Sequence, residues 1–135
     1  IYGNNGRDMI YGNRGDDALF GGQDSDFIYG GQGQDSLFGN KGDDVLFGNN
    51  GDDTLIGGAG DDVLTGGGGR DAFLFAADGS TDYVLDFTAG EDLLVVASAP
   101  EIIEQAGQTV LRFNDTLVVV QGVSPDDVAG SLQLF

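Results

Sequence analysis

Glycine returns every ninth residue, at Gly3, Gly12, Gly21, Gly30, Gly39, Gly48, Gly57 and Gly66, and an aspartate follows each one five places later. Those aspartates are Asp8, Asp17, Asp26, Asp35, Asp44, Asp53, Asp62 and Asp71. Two residues beyond each stands a large apolar side chain, from Ile10 and Leu19 to Leu64 and Phe73. A nine-residue period held eight times in register constrains the fold more than any other feature here. Each unit is one supersecondary element that cannot bury its apolar face alone and must stack on its neighbours. Ile1 and Tyr2 fill the last two places of a preceding unit, so the chain is expected to enter an array already under way, with more protein upstream.

Each unit divides into a polar six-residue stretch, such as Gly48-Asn49-Asn50-Gly51-Asp52-Asp53, and an apolar triplet, such as Thr54-Leu55-Ile56. The first is predicted as a turn and the second as a three-residue strand. Glycine at the first and fourth places is expected to supply positive φ, with Asn4, Asn13, Asn40 and Asn49 at the second place tolerating the same conformation. Side chains alternate along a strand, so the middle residue of each triplet points inward and its neighbours outward. One inward residue in nine makes a thin core. The turns also stack aspartates at regular spacing, which opposes folding by like-charge repulsion. The chain carries 23 acidic against 5 basic residues, a formal net charge of −18. A chain so acidic repels phosphate backbones and is expected to bind no nucleic acid. It has no Cys and no His, which excludes disulfides, thiol nucleophiles, Ser-His-Asp triads and ordinary zinc sites. No apolar run is long enough to span a membrane as a helix. Oxygen-seeking cations remain, and stacked carboxylates with turn carbonyls suit Ca²⁺, which takes six to eight oxygen ligands in irregular geometry.

The unit Gly57-Gly58-Ala59-Gly60-Asp61-Asp62-Val63-Leu64-Thr65 matches the pattern Gly-Gly-x-Gly-x-Asp-x-apolar-x, and the array resembles the RTX, or haemolysin-type, calcium-binding repeat. That resemblance implies an all-β fold, a right-handed parallel β-roll with two nonapeptides per turn, and several bound Ca²⁺ as the only cofactor. It implies that each ion lies between a turn and the turn two repeats on. Asp8 then pairs with Asp26, Asp17 with Asp35, Asp26 with Asp44, Asp35 with Asp53, Asp44 with Asp62 and Asp53 with Asp71. Up to six interior sites result, and six divalent ions would bring −18 to −6. The resemblance also implies carbonyl ligands at the second and fourth places. These are Asn4, Gly6, Asn13, Gly15, Gly22, Gly31, Gly33, Asn40, Gly42, Asn49, Gly51, Gly58, Gly60, Gly67 and Gly69. Asp24 replaces the fourth-place glycine of the third unit, a poor occupant of positive φ. Asp16, Asp43, Asp52 and Asp61, at the fifth place, read as solvated charges that raise the local cation concentration.

The period ends after Leu74, and the expected division is an ion-binding roll over residues 1–74 and a β-rich cap over residues 75–135. Asp82 to Leu93 reads as strand, turn, strand and resembles the Asp-Phe-x-x-Gly-x-Asp flank of RTX arrays. Asp82 either completes a terminal half-site beyond Asp71 or is a strand-edge acid. Ile102–Ala106, Thr109–Phe113 and Leu117–Gln121 predict an antiparallel meander, and Ser124-Pro125-Asp126-Asp127 a capped helical turn. The C-terminus is compatible with a signal for the type I secretion machinery, as the resemblance implies.

Outward positions of the odd-numbered units, Met9, Tyr11, Phe27, Tyr29, Val45 and Phe47, form an apolar face. Either ordinary β-propensity with partial cover accounts for it, or it packs on a partner. That partner is another domain, a second copy, the cap, or a glycan stacked on Tyr11, Tyr29 and Phe47. No catalytic constellation is recognisable in this chain. Three roles follow: a calcium-binding module of a larger secreted bacterial protein that folds outside the cell, a surface or matrix block assembling through its apolar face, or the non-catalytic part of an extracellular enzyme such as a protease, lipase or polysaccharide-modifying enzyme.

Overall fold

The computed structural model describes all 135 residues. Nine strands come from the repeats: β1 (Tyr2–Asn5), β2 (Met9–Arg14), β3 (Ala18–Gln23), β4 (Phe27–Gln32), β5 (Ser36–Lys41), β6 (Val45–Asn50), β7 (Thr54–Ala59), β8 (Val63–Gly68) and β9 (Ala72–Phe75). Every strand pairs in parallel with the strand two places on, so the chain alternates between two facing sheets. The result is a parallel β-roll with two nonapeptides per turn, and the all-β expectation holds.

The strands are six residues long where three were expected. Each runs from the apolar triplet into the first three places of the next unit, as in Phe27-Ile28-Tyr29-Gly30-Gly31-Gln32. Pairing explains the extension. Tyr29 lies opposite Phe47, Gly31 opposite Asn49 and Gln32 opposite Asn50, so the register resumes on the far side of the first-place glycine. Stacking identical turns lets turn backbone bond to turn backbone, which an isolated turn cannot do. Only three residues, such as Gly33-Gln34-Asp35, remain outside the strands.

The middle residues of the triplets, Ile10, Leu19, Ile28, Leu37, Leu46, Leu55, Leu64 and Phe73, are buried between the sheets. They belong to one cluster of 18 residues that continues without a break into Phe87, Leu94, Leu111, Val118 and Val128. Beyond the repeats, β10 (Thr81–Val84), β11 (Leu93–Val96), β12 (Glu101–Gln105), β13 (Gln108–Phe113), β14 (Thr116–Val120) and β15 (Leu132–Leu134) extend both sheets rather than forming a separate layer. β10 joins β8 and β11 joins β9, both in parallel. The predicted meander is β12-β13-β14, antiparallel, and it attaches to the roll through β14 beside β10. The helical turn is α1 (Pro125–Ala129), with Ser124 and Asp127 forming a capping box and Pro125 in the first turn. Val128 is its one buried residue, so α1 acts as a lid over the end of the core.

Candidate metal centre

The aspartates at the sixth place stand in two columns, one along each edge where the chain passes between sheets. In each column one carboxylate oxygen has a fixed task. Asp26 Oδ1 accepts the backbone N–H of Asp8 at 2.8 Å, and Asp35 Oδ1 accepts that of Asp17 at 2.8 Å. The same bond joins Asp44 to Asp26, Asp53 to Asp35, Asp62 to Asp44 and Asp71 to Asp53. These are the six pairs expected from the repeat, two units apart in every case.

The other oxygen has no partner. Oδ2 of Asp8, Asp17, Asp26, Asp35, Asp44, Asp53, Asp62 and Asp71 is buried and accepts no hydrogen bond. From Asp26 to Asp71 the whole residue is buried. No lysine or arginine compensates them, since the salt bridge of the chain joins Arg112 to Glu101 on the exposed cap surface. Removing a carboxylate from water is costly, and a proton or a metal ion must offset it. Burial, reinforced by neighbouring carboxylates and opposed by the backbone N–H bonds, pushes Asp44, Asp53 and Asp71 up to about 6 and Asp62 up to about 8. Asp26 and Asp35 are raised for the same reasons.

The first-place glycines show what surrounds these oxygens, and they correct the expectation about backbone conformation. They do not adopt positive φ; the second and fourth places do, from Asn4 at 81° to Gly69 at 129°. The first place is glycine for lack of room. A Cβ on Gly30 would lie 2.6 Å from Asp35 Oδ2 and 2.7 Å from the carbonyl oxygen of Gly48. Gly3, Gly12, Gly21, Gly39 and Gly48 are hemmed in likewise by their own Asp and by the first-place carbonyl two units on. Each orphan oxygen thus faces a first-place carbonyl, a candidate ligand that sequence reasoning missed. The fourth-place carbonyls of Gly6, Gly15, Gly33, Gly42, Gly51, Gly60 and Gly69 accept no backbone hydrogen bond, and those of Gly15, Gly33 and Gly42 abut the fourth place two units on. Second-place carbonyls, such as those of Asn4, Asn13, Asn40 and Asn49, abut Gly22, Gly31, Gly58 and Gly67 in the same way. No three acidic side chains converge in one cluster. A cation here would be held by carboxylates arriving two at a time and by backbone oxygens, a donor set of hard oxygens that fits Ca²⁺.

Asp24 keeps the local rule it was expected to strain. It adopts φ 74°, and its carboxylate accepts the Gly6 N–H at 3.1 Å. The fifth-place aspartates are more than solvated charges. Oδ1 of Asp16, Asp43, Asp52 and Asp61 accepts the N–H of Gln34, Asp61, Arg70 and Thr81, so an exposed second ladder of side-chain to backbone bonds ties each turn to the next.

At the cap the column continues on residues outside the period. Asp82 Oδ1 accepts the Asp62 N–H at 3.0 Å, and Asp92 Oδ1 accepts the Asp71 N–H at 2.9 Å. Asp82 therefore continues the column of Asp62, not that of Asp71. Asp86 accepts from Gly66 N–H and Gly67 N–H at 2.9 and 2.7 Å. Asp86 and Asp92 are the two acids of the flanking motif; the spacing from Asp71 to Asp92 is 21 residues, which hides the relation from a nine-residue search.

On the outer faces, the apolar side chains stack along the roll. Tyr11, Tyr29 and Phe47 lie ring on ring at 4.9 Å, and on the other sheet Tyr2, Phe20 and Phe38 at 4.7 Å. Arg7 covers Phe27 at 5.0 Å. Met9 and Tyr11 are exposed, whereas Phe27, Tyr29, Val45 and Phe47 are half-buried. Ring faces occupied by neighbouring rings offer no surface to a sugar, which counts against glycan stacking across the three aromatics.

A family model described as the RTX calcium-binding nonapeptide repeat (4 copies) matches residues 2–37 and 38–73. No curated protein matches the chain by sequence. Among solved structures, the chain resembles the extracellular lipase LipA from Serratia marcescens at 22% identity and a TM-score of 0.53, over 96% of this chain and 38% of that one. It also aligns with the AlgE6R2 and AlgE6R3 subunits of the Azotobacter vinelandii mannuronan C5-epimerase, at 26% and 27% identity and TM-scores of 0.49 and 0.43. Those alignments cover 90% of this chain in both cases, and 91% and 80% of the subunits. The chain spans well under half the length of the lipase whose fold it shares. With more than half its residues inside the matched repeats and its orphan carboxylates in register, this chain belongs to the RTX calcium-binding nonapeptide repeat family.

Proposed function

We propose that the chain is a calcium-gated folding module of a larger secreted bacterial protein, unfolded during export through type I machinery and folded outside the cell, where Ca²⁺ is millimolar. The single observation that carries this reading is the row of eight buried Oδ2 atoms without a partner. Residues 1–74 are the ion-binding roll and residues 75–135 its cap and signal region. Asp8, Asp17, Asp26, Asp35, Asp44, Asp53, Asp62 and Asp71 hold the ions together with turn carbonyls. A bound divalent ion supplies the positive charge that lets these carboxylates be buried ionised. The chain supplies the rest: N–H groups fix each Oδ1, glycines make room for each Oδ2, and parallel pairing holds successive turns in register. Ions bound only by the folded state stabilise it in proportion to their concentration, so the roll is a switch set by external calcium.

The fold it shares with part of an extracellular lipase supports placing the module in the non-catalytic part of an extracellular enzyme. The exposed Met9 and Tyr11 and the stacked aromatic row support lateral self-association as a second role. One experiment addresses both. Far-UV circular dichroism and sedimentation are followed through a Ca²⁺ titration and repeated with Mg²⁺. Cooperative gain of β-structure with Ca²⁺ alone is expected, and a rise in mass reports assembly. A chain fully folded in chelator would refute the gating role.

A further inference from the structure

The two carboxylate columns end differently at the cap. Asp92 closes its column with both oxygens committed, Oδ1 to the Asp71 N–H at 2.9 Å and Oδ2 to the Thr88 N–H at 2.8 Å. Asp82 closes the other with one hydrogen bond, from Asp62 N–H to Oδ1. Beneath it, Asp62 is fully buried and its Oδ2 has no partner. Asp82 is itself 4% exposed and lies beyond the last repeat. The hairpin leading to it is tied down by its own bonds. Asp78 Oδ1 accepts from Ser80 N–H and Ser80 hydroxyl, and the Thr116 hydroxyl accepts from Asp78 N–H and Gly79 N–H. Residue 82 is therefore held in place by the cap rather than by the repeat.

We propose that Asp62 and Asp82 form a further divalent-cation site at the junction of roll and cap, while the Asp71–Asp92 end is closed by hydrogen bonds and takes no ion. This rests on the calcium reading above and extends it to a residue outside the nonapeptide pattern. The junction site differs from the interior ones in one respect. A Cβ on Gly57 would meet only Asp62, with no first-place carbonyl from the cap opposite, whereas Gly48 faces the carbonyl of Gly66. Fewer protein oxygens surround the junction ion, so it binds more weakly than the interior ions. Its occupancy fixes Asp82, and with it the hairpin and β14, so cap docking responds to calcium at a higher concentration than roll formation does.

The test is the ion count of the full chain by equilibrium dialysis with Ca²⁺, for wild type, Asp82→Asn and Asp92→Asn. Asparagine keeps an Oδ1 acceptor for the N–H of Asp62 or Asp71, and circular dichroism at saturating Ca²⁺ verifies that each variant is folded. Wild type is expected to bind one ion more than its six interior pairs supply, Asp82→Asn to lose one ion from the weak class, and Asp92→Asn to lose none. Equal counts in wild type and Asp82→Asn overturn the junction site, and loss of an ion in Asp92→Asn overturns the asymmetry. No Ca²⁺ bound by wild type would instead refute the underlying calcium reading. Anomalous scattering from crystals grown with Tb³⁺ decides the matter without any variant: a peak between Asp62 and Asp82, with none between Asp71 and Asp92, is the expected result.

Discussion

Replacing Asp53 by Asn tests the charge logic of the roll because its effect must change sign with calcium. Asp53 takes part in two pairs: its Oδ1 accepts from Asp35 N–H at 2.8 Å, and its own N–H donates to Asp71 Oδ1 at 2.9 Å. Asparagine retains the acceptor and the donor but removes a charge from both ion sites. Without calcium, the carboxyl is raised from 3.8 to about 6, chiefly by burial. That difference of about 2 units, at about 1.4 kcal/mol per unit, means the ionised group destabilises the ion-free roll by about 3 kcal/mol above pH 7. Asp53→Asn should therefore stabilise the ion-free state by up to about 3 kcal/mol. With calcium saturating, a tenfold loss of affinity at each of two sites removes about 3 kcal/mol, so the same substitution should destabilise. The assay is unfolding followed by far-UV circular dichroism, in chelator with an excluded osmolyte to populate the folded state, and again in millimolar Ca²⁺. Asp52→Asn is the control, since Asp52 is exposed and asparagine preserves its bond to Arg70 N–H; it should change stability by less than about 0.5 kcal/mol in both conditions. If Asp53→Asn destabilises equally with and without calcium, packing or hydrogen bonding sets its role and the electrostatic argument fails.

Stability of the calcium-free roll should fall as pH rises from about 4 to about 8. Asp44, Asp53, Asp62 and Asp71 have folded values raised above 3.8, so the folded state binds more protons across that window, and acidification in chelator should increase β-structure. In calcium the trend should invert, because protons compete with the ion for the same oxygens. Gly30→Ala should cost about 1–3 kcal/mol in a calcium-loaded melt, since its methyl meets Asp35 Oδ2 at 2.6 Å, although its φ is ordinary. Gly79→Ala, at φ +86° with nothing within 4 Å, should cost about 1 kcal/mol, so a Gly79→Ala loss equal to that of Gly30→Ala would count against crowding as the cause. Leu46→Ala, at a fully buried position, should cost about 3–5 kcal/mol in chemical denaturation; a loss under 1 kcal/mol would mean the core carries little of the fold.

The nine-residue period by itself determined most of this protein. It fixed the parallel stacking, the inward series from Ile10 to Phe73, the two-unit offset of the aspartate pairs and the acidity that calls for cations, because a repeated local pattern reports directly on a repeated local geometry. Alternation along each triplet likewise assigned the outward rows, and Ser124 with Asp127 announced the capping box. Tertiary structure decided what lies between turns. Strands doubled in length because stacked turns bond to each other, a contact that exists only once a neighbour is in place. The first-place glycines proved to be about room for a carboxylate rather than about φ, since the crowding atoms come partly from a residue 18 places on, such as the Gly48 carbonyl beside Gly30. Asp82, Asp86 and Asp92 met the roll at separations of 20, 19 or 20, and 21 residues, offsets no period predicts, because the cap closes the columns through its own hairpin and turn geometry. Local pattern thus specifies whatever each unit does identically, and three-dimensional packing specifies whatever happens where the repetition stops.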